Sequence, residues 1–284
     1  MMPKGKLLLI GGHEDKGNEI AGENLKIQSK KEKQSHFEIL GSLISKIPRA
    51  NHSIEVIAAA SSISKEMEEL YVASYKQEGF TKVGIIHLNE VEDASNQGLI
   101  KRIEGAHAVF FTGGDQSKLV SLLANTKLIH AIRNKYHSDK NFIVGGTSAG
   151  AMAMPEIIIA GGILREALYH DDIKIATGLN LITEIIVDTH FIKRGRFARL
   201  AHAVALNSTC LGIGLEENTA LLISEGNIAE CLGTGMVIIM DGSELGLTNI
   251  ESAVDTIPII MENMKFSILA EGTRYSICER KIQV

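Results

Sequence analysis

The chain has 284 residues, of which 45% are hydrophobic and 22% are charged, and its formal net charge is −5. This composition is typical of a soluble globular protein and excludes an intrinsically disordered chain, which has too little apolar surface to form a core. The mildly negative charge offers no general attraction to nucleic acid or to an anionic membrane, so we expect neither as a partner. Any recognition of charge must be local.

The cysteines and the first residues bear on the cellular compartment. Cys210, Cys231 and Cys278 are odd in number and far apart, which argues against a disulfide framework and against a metal site, and we predict no cofactor. The apolar run 7–10 is too short for a signal peptide, and no run approaches the roughly 20 apolar residues of a membrane span. We therefore expect a cytoplasmic protein.

Short runs rich in Val, Ile and Leu alternate with helix-like segments along the first three quarters of the chain. Several runs lack the two-residue alternation of half-exposed strands, which favours strands covered on both faces. The pattern predicts an α/β fold with a mostly parallel, doubly wound sheet and helices on both faces. The predicted strands are 6–10, 54–60, 82–88, 108–111, 141–144, 184–187, 211–215 and 220–224. The predicted helices are 34–46, 65–78 and 117–135.

The pattern changes from Ile228 onward to short segments with turn residues at Asp241-Gly242 and Glu271-Gly272. Such segments are typical of hairpins, so we interpret 228–284 as an antiparallel extension of the sheet. Because we find no linker and no internal repeat, we predict one domain over 1–284.

Glycine-rich or polar residues directly follow four of the predicted strands, at 11–15, 112–116, 145–150 and 188–190. The carboxyl ends of parallel strands meet at one edge of a sheet, where ligands of such folds bind. We therefore expect these four segments to line one cleft.

Ser148 lies within Gly146-Thr147-Ser148-Ala149-Gly150, between a predicted strand and a short helix. The glycines permit a tight turn and leave room around the hydroxyl, while the N–H groups that follow point toward whatever the serine attacks. These features are typical of a nucleophile. A phosphate-binding turn, or a turn without chemistry, has the same pattern.

His190 follows the strand 184–187 and is our candidate general base, although a buried structural histidine would fit the same position. Nine other histidines compete, of which only His13 directly follows a glycine-marked strand end. Glu216 and Glu217 follow another strand, and one of them can orient the histidine. Since neighbouring side chains project oppositely, the other is expected to be solvated or paired elsewhere.

The segment 112–116 offers unobstructed backbone N–H groups for a developing oxyanion. Gly114 and Ala149 are the candidates for this role. The alternative is a helix N-cap, with Asp115 capping a helix that begins at Gln116.

Four cations lie close together after His190 in an otherwise mildly acidic chain. A charge run is usually a solvated helix face, but beside a nucleophile such side chains can clamp carboxylates. This second interpretation predicts an acidic substrate. The cations are Lys193, Arg194, Arg196 and Arg199.

The chain carries four longer motifs in a fixed order: Thr-Gly-Gly-Asp-Gln at 112–116, Gly-Thr-Ser-Ala-Gly-Ala at 146–151, Asp-Thr-His-Phe with Arg-Gly-Arg and Arg-Leu at 188–200, and Gly-Leu-Glu-Glu-Asn-Thr-Ala at 214–220. Together they resemble cyanophycinase, over nearly the whole chain. That family consists of serine exopeptidases that degrade cyanophycin, a polyaspartate with arginine on each side-chain carboxyl, to β-Asp-Arg dipeptides.

The resemblance implies Ser148 as nucleophile, His190 as base and Glu217 as orienting acid, on a flavodoxin-like scaffold similar to class I glutamine amidotransferase domains. It also implies a homodimer acting on cyanophycin or another β-aspartyl peptide. The substrate contacts implied are Gln116, Asp188, Thr189, Arg194, Arg196 and Arg199.

Three positions depart from the usual family pattern: Thr189 replaces a common Gln, Ala198 replaces a common Gly, and His13 occupies a commonly small position. The first two predict a substrate pocket of different size and hydrogen bonding, with the three catalytic positions intact. The alternatives are an aspartyl or isoaspartyl dipeptidase, and a sensor that keeps the cleft without turnover.

Overall fold

A computed structural model describes residues 2–12, 39, 52–59, 65–162, 168–251 and 257–283. The strands are β1 (Lys6–Ile10), β2 (Ser53–Ile57), β3 (Lys82–Ile86), β4 (Ala108–Phe111), β5 (Ile143–Thr147), β6 (Ile157–Gly162), β7 (Ile173–Thr177), β8 (Ile185–Thr189), β9 (Leu211–Leu215), β10 (Thr219–Ser224), β11 (Ile228–Gly233), β12 (Val237–Asp241), β13 (Lys265–Leu269), β14 (Arg274–Ser276) and β15 (Lys281–Gln283). The α-helices are α1 (Lys65–Gln77), α2 (Gln97–Gly105), α3 (Gln116–Leu123), α4 (Lys127–Ser138), α5 (Ala149–Met152) and α6 (Phe197–Leu206). Short 3-10 helices occur at Val91–Ser95 and His170–Asp172.

The strands form a nine-stranded sheet, a four-stranded sheet and the separate pair β6-β7. The larger sheet has the order β15-β14-β11-β10-β1-β5-β4-β2-β3, and its segment from β1 to β3 is parallel throughout. The smaller sheet has the order β13-β12-β9-β8, in which β8 and β9 are parallel. This mixed architecture with a parallel core confirms the predicted α/β class.

The central strand β1 is buried on both of its faces. Leu7 and Leu9 belong to one hydrophobic cluster, which includes residues of α2, α3 and α4. Leu8 and Ile10 belong to another, which includes Tyr71 and other residues of α1. Coverage of both faces explains why the strand reads as a continuous apolar run.

The predicted helix 117–135 was wrong as a single element, because α3 and α4 replace it. Asn125 has φ of 60°, in the left-handed region that ends a helix, and the Thr126 hydroxyl accepts from the Ile129 N–H at the start of α4. Both helices bury apolar side chains in the same cluster, so the spacing of apolar residues in the sequence predicts one helix across the break. The predicted helix 34–46 lies outside the described residues except for Ile39.

The turn predicted at Glu271-Gly272 forms, but neither of the two predicted turns closes a hairpin. β12 ends at Asp241 and pairs with β13 only after a long connection, while the turn at Glu271-Gly272 joins β13 to a strand of the other sheet. Antiparallel pairing begins already at β10, which pairs with β1. The strands after Ile228 therefore complete both sheets, and none of the helices in the described ranges has the length and apolar character needed to cross a membrane.

Candidate active site

The end of β1 connects the segments that carry the candidate catalytic residues. Successive backbone carbonyls at positions 10–12 accept from the N–H groups of Ser148 at 3.0 Å, His190 at 2.9 Å and Asn218 at 3.2 Å. Because these bonds involve only backbone atoms, they hold the three segments together independently of the side chains. The four strand ends were expected on one sheet, but β8, which leads to His190, lies in the smaller sheet.

Three side chains form a continuous hydrogen-bonded chain. Ser148 Oγ lies 3.0 Å from His190 Nε2, and Glu217 Oε1 lies 2.8 Å from His190 Nδ1. The His190 and Glu217 side chains are only 10% and 14% exposed. When Nδ1 donates to Glu217, Nε2 is free to accept the serine proton, which is the arrangement that activates a serine hydroxyl.

The backbone is strained at this site. Ser148 directly follows β5 and has φ of 52° and ψ of −118°, while His190 and Asn218 have φ of 49° and 54°. Residues with a side chain avoid positive φ, and the cost is typically kept where function needs it. The strand runs to Thr147 rather than ending at 144 as expected, so the serine begins the turn itself.

Two glycines bring backbone close to the reacting side chains. Gly12 has φ of 100°, and a Cβ there would lie 2.4 Å from the His190 ring. A Cβ on Gly113 would lie 3.5 Å from the Ser148 Cβ, so the loop containing Gly114 passes beside the serine. Ala149 is the first residue of α5, so its N–H lies in the first helical turn, where N–H groups have no acceptor within the helix.

Burial lowers the pKa of His190 below its ordinary value of 6.5. The hydrogen bond that His190 donates to Glu217 raises this pKa, while the charges of Arg194 and Arg196 lower it. The balance favours the neutral imidazole at neutral pH. This is the form that can accept a proton.

Asp188 is fully buried and faces the arginines of its own chain. It accepts from Arg199 Nε at 2.7 Å and Nη2 at 2.5 Å, and from Arg196 Nη1 at 3.0 Å. Arg196 also donates to the Thr189 carbonyl at 2.9 Å. These bonds connect the start of α6 to the end of β8, immediately before His190.

The six expected substrate contacts differ in accessibility. Asp188, Thr189 and Arg199 are buried, Gln116 and Arg196 are half-buried, and Arg194 is exposed. The Thr189 hydroxyl donates to Met152 Sδ at 3.3 Å. The Gln116 amide donates to the Ile159 carbonyl at 2.9 Å.

The segment 112–116 contains a helix cap. The Asp115 carboxylate accepts from the N–H groups of Ser117 at 2.8 Å and Lys118 at 3.1 Å, at the start of α3. The cap and the neighbouring Gly114, which has φ of 140°, occupy successive positions of one loop. The capping interpretation of Asp115 is therefore correct.

Two contacts were missed by sequence reasoning. The Ile192 N–H donates to Glu216 Oε2 at 2.6 Å, and Lys193 Nζ donates to Glu217 Oε2 at 2.9 Å. Glu216 is thus paired elsewhere, as expected for the second glutamate, but its partner carried no sequence signal. His13 lies outside the described residues.

The cysteines do not offer an alternative nucleophile near Ser148. Cys210 and Cys231 are buried, and burial raises the pKa of Cys231 to about 11, which disfavours the reactive thiolate. Cys278 is exposed, but partial desolvation of its thiol and the nearby Glu184 raise its pKa as well. Within the described ranges, no three His, Cys, Asp or Glu side chains are grouped so as to hold a metal ion.

Comparison with known proteins identifies the family. The sequence model described as Peptidase family S51 matches residues 25–231. A cyanophycinase from Trichormus variabilis is 32% identical over 279 residues, which cover 98% of this chain and 88% of that protein. A cyanophycinase from Geminocystis herdmanii is 31% identical over 276 residues, which cover 96% of this chain and 94% of that protein.

The fold is shared with a solved protein. The crystal structure of a peptidase from an acI-B1 Actinobacterium superimposes with a TM-score of 0.63, at 22% identity and over 97% of both chains. This likeness shows the fold alone. The family model that matches most of the sequence and the relatives above 30% identity show that the chain belongs to peptidase family S51 and is a serine peptidase.

Proposed function

We propose that the protein is a cyanophycinase, an exopeptidase that hydrolyses cyanophycin to β-Asp-Arg dipeptides. Its relatives named cyanophycinase are similar over nearly their full length, which supports the substrate class. The observation that carries the chemistry is the hydrogen-bonded chain from Ser148 through His190 to Glu217.

In the proposed reaction, Ser148 Oγ attacks a backbone aspartyl carbonyl while His190 Nε2 takes the hydroxyl proton. The N–H groups near Gly114 and Ala149 stabilise the oxyanion. The C–N bond then breaks as His190 returns the proton to the leaving amine. Water attacks the resulting ester while His190 takes its proton, and His190 then returns that proton to Ser148 Oγ as the ester bond breaks. This step releases the acyl product and restores the serine.

We assign the six predicted binding residues to two roles according to their burial. Arg194 is exposed enough to bind substrate carboxylates, and the half-buried Gln116 to hydrogen-bond the peptide. Arg196, whose side chain is 14% exposed and donates to Asp188, has limited access to substrate. Arg199 donates to both oxygens of Asp188, and this buried pair supports the segment that leads to His190. Thr189, whose hydroxyl donates a hydrogen bond to Met152 Sδ, also supports this segment.

The test compares the unmodified protein with Ser148→Ala and with Ser121→Ala, which removes an exposed hydroxyl on α3. Each is incubated with insoluble cyanophycin, α-Asp dipeptides and β-Asp dipeptides in parallel, and separately with a fluorophosphonate probe. We expect release of β-Asp-Arg and labelling of Ser148, both lost only in Ser148→Ala. Cleavage of α-Asp dipeptides alone would indicate an aspartyl dipeptidase, and binding without labelling or product would indicate a sensor.

We also propose, from the same family resemblance, that the enzyme is a homodimer in the cytoplasm. Sedimentation velocity would then give twice the 30.8 kDa mass of one chain. A sedimenting species of one chain at micromolar concentration would contradict the dimer.

A further inference from the structure

The Glu217 carboxylate divides its two oxygens between two residues of one turn. Oε1 lies 2.8 Å from His190 Nδ1, and Oε2 accepts from Lys193 Nζ at 2.9 Å. The glutamate is 14% exposed and the lysine 57% exposed. The carboxylate thus joins the imidazole to a cation three residues further along the chain.

The turn that carries Lys193 is held independently of this contact. The Arg194 N–H donates to the His190 carbonyl at 3.0 Å, and the Ile192 N–H donates to Glu216 Oε2 at 2.6 Å. These bonds use backbone donors, so the course of the chain does not depend on the lysine side chain. The role of the ion pair between Lys193 and Glu217 is therefore something other than holding the turn in place.

We propose that Lys193 is a positioning residue for the catalytic acid, holding Glu217 Oε2 so that Oε1 stays directed at His190 Nδ1. This role rests on the proposed function of the Ser148, His190 and Glu217 chain. A carboxylate bound through one oxygen can rotate away from the imidazole, whereas one bound through both oxygens cannot do so without breaking an ion pair. The lysine acts on the imidazole only through Glu217.

Lys193 also affects the pKa of His190 in two opposing ways. Its positive charge disfavours a further proton on the imidazole, whereas the hydrogen bond to Glu217, which it supports, raises the pKa. Loss of the positioning is therefore read from the labelling rate at alkaline pH, where the imidazole is neutral in every variant. The charged groups around this ring within the described residues are Glu217 from the end of β9, Arg194 and Arg196 from the turn after β8, and Asp188 behind Arg196.

Exposed ion pairs usually contribute little, because water and salt screen them. Here the acidic partner is largely withdrawn from solvent, which weakens the screening on one side. We therefore expect loss of the Lys193 charge to slow labelling by about as much as loss of an exposed ion pair can. A competing role, binding of a substrate carboxylate by Lys193, is separated by using a probe that has no carboxylate.

The experiment measures the rate of fluorophosphonate labelling of Ser148 across a pH series in Lys193→Met, Lys193→Arg and Lys281→Met. Lys281 is the matched control, because it is also exposed and pairs with a glutamate, Glu279, at the far edge of the larger sheet. We expect labelling of Lys193→Met to slow roughly fivefold on the alkaline plateau of the pH series. Lys193→Arg should come within about twofold of the unmodified protein, and Lys281→Met should match it.

Labelling of Lys193→Met at the original rate on the alkaline plateau would overturn the positioning role. So would a higher KM for peptide substrate combined with unchanged labelling, since that result assigns Lys193 to substrate binding. Failure of the unmodified protein to label at Ser148 would instead overturn the proposed function and, with it, this role.

Discussion

The carboxylate of Asp188 is bound by the guanidinium of Arg199 through two hydrogen bonds, at 2.7 Å from Nε and 2.5 Å from Nη2. Both residues are buried, and the pair ties α6 to the end of β8, two residues before His190. The position of the imidazole therefore depends on an ion pair that takes no part in the chemistry.

Replacing Arg199 with Ala should destabilise the protein, because it leaves the Asp188 charge buried and short of its bidentate partner. We expect the free energy of unfolding in urea to fall by about 3–5 kcal/mol. Arg199→Lys should recover only part of the loss, since an ammonium cannot bind both carboxylate oxygens in the same geometry. The exposed Arg194→Ala is the control, with a change within about 0.5 kcal/mol. Unaltered stability of Arg199→Ala, with only weaker substrate binding, would show that Arg199 contacts the substrate.

The activity of Ser148 should fall as the pH drops through the pKa of His190, because only the neutral imidazole accepts a proton. Since burial lowers this pKa, the acid limb of the pH–rate profile should lie below pH 6.5. Arg194→Gln removes a positive charge that opposes protonation, so the pKa rises and the limb moves to higher pH. The measurement is the labelling rate with a neutral fluorophosphonate, with Arg274→Gln as a control on a distant strand. A limb that stays in place or moves to lower pH would contradict the assignment.

Gly12→Ala should slow turnover strongly without unfolding the protein. A Cβ at this position would lie 2.4 Å from the His190 ring, and φ of 100° is unfavourable for alanine. Displacing the imidazole by about 1 Å is expected to cost roughly a hundredfold in rate. Gly105→Ala is the control, because a Cβ there meets nothing within 4 Å. Near-normal turnover of Gly12→Ala, with circular dichroism unchanged, would mean that His190 is not held where it is seen.

His202→Leu should stabilise the protein, most clearly in acid. Neither ring nitrogen of His202 has a hydrogen-bond partner among the described residues, and burial lowers its pKa, with Asp172 raising and His170 lowering it. Removing the unpaired groups should raise the free energy of unfolding by about 1 kcal/mol at pH 7.5.

The pH dependence of this gain follows from the direction of the shift. Below pH 6.5 the unfolded histidine gains a proton that the folded one resists, so the unmodified protein loses stability as the pH falls. The gain from His202→Leu should thus widen at pH 5.0 in urea unfolding. The exposed His130→Leu serves as the control, and a gain for His202→Leu that is equal at both pH values would refute the buried neutral state.

Local patterns predicted much of the fold. The strands 6–10, 108–111 and 211–215 were predicted to the residue, because continuous apolar runs bounded by polar or glycine residues are local signals. The break between α3 and α4 was missed, since apolar residues on both sides reach the same core and mask the interruption. The division into two sheets was also missed, because strand spacing does not encode which strands pair.

The candidate site was predicted in part. Residue patterns alone selected Ser148 and His190 but left Glu216 and Glu217 equivalent, and only the family resemblance favoured Glu217. In the folded chain one glutamate accepts from the Ile192 backbone and the other contacts the imidazole. This division depends on where the turn after β8 meets the end of β9, which is a long-range contact.

The identities and order of the chemical groups are properties of the chain itself: a serine between glycines, a histidine after a strand, and a run of cations behind it. Their partners are not. Lys193 meets Glu217, while Arg196 and Arg199 meet Asp188 and Arg194 stays exposed. Folding sets these pairings, because the backbone carbonyls at 10–12 accept from segments that follow strands of both sheets. These bonds bring together residues that lie far apart in the chain.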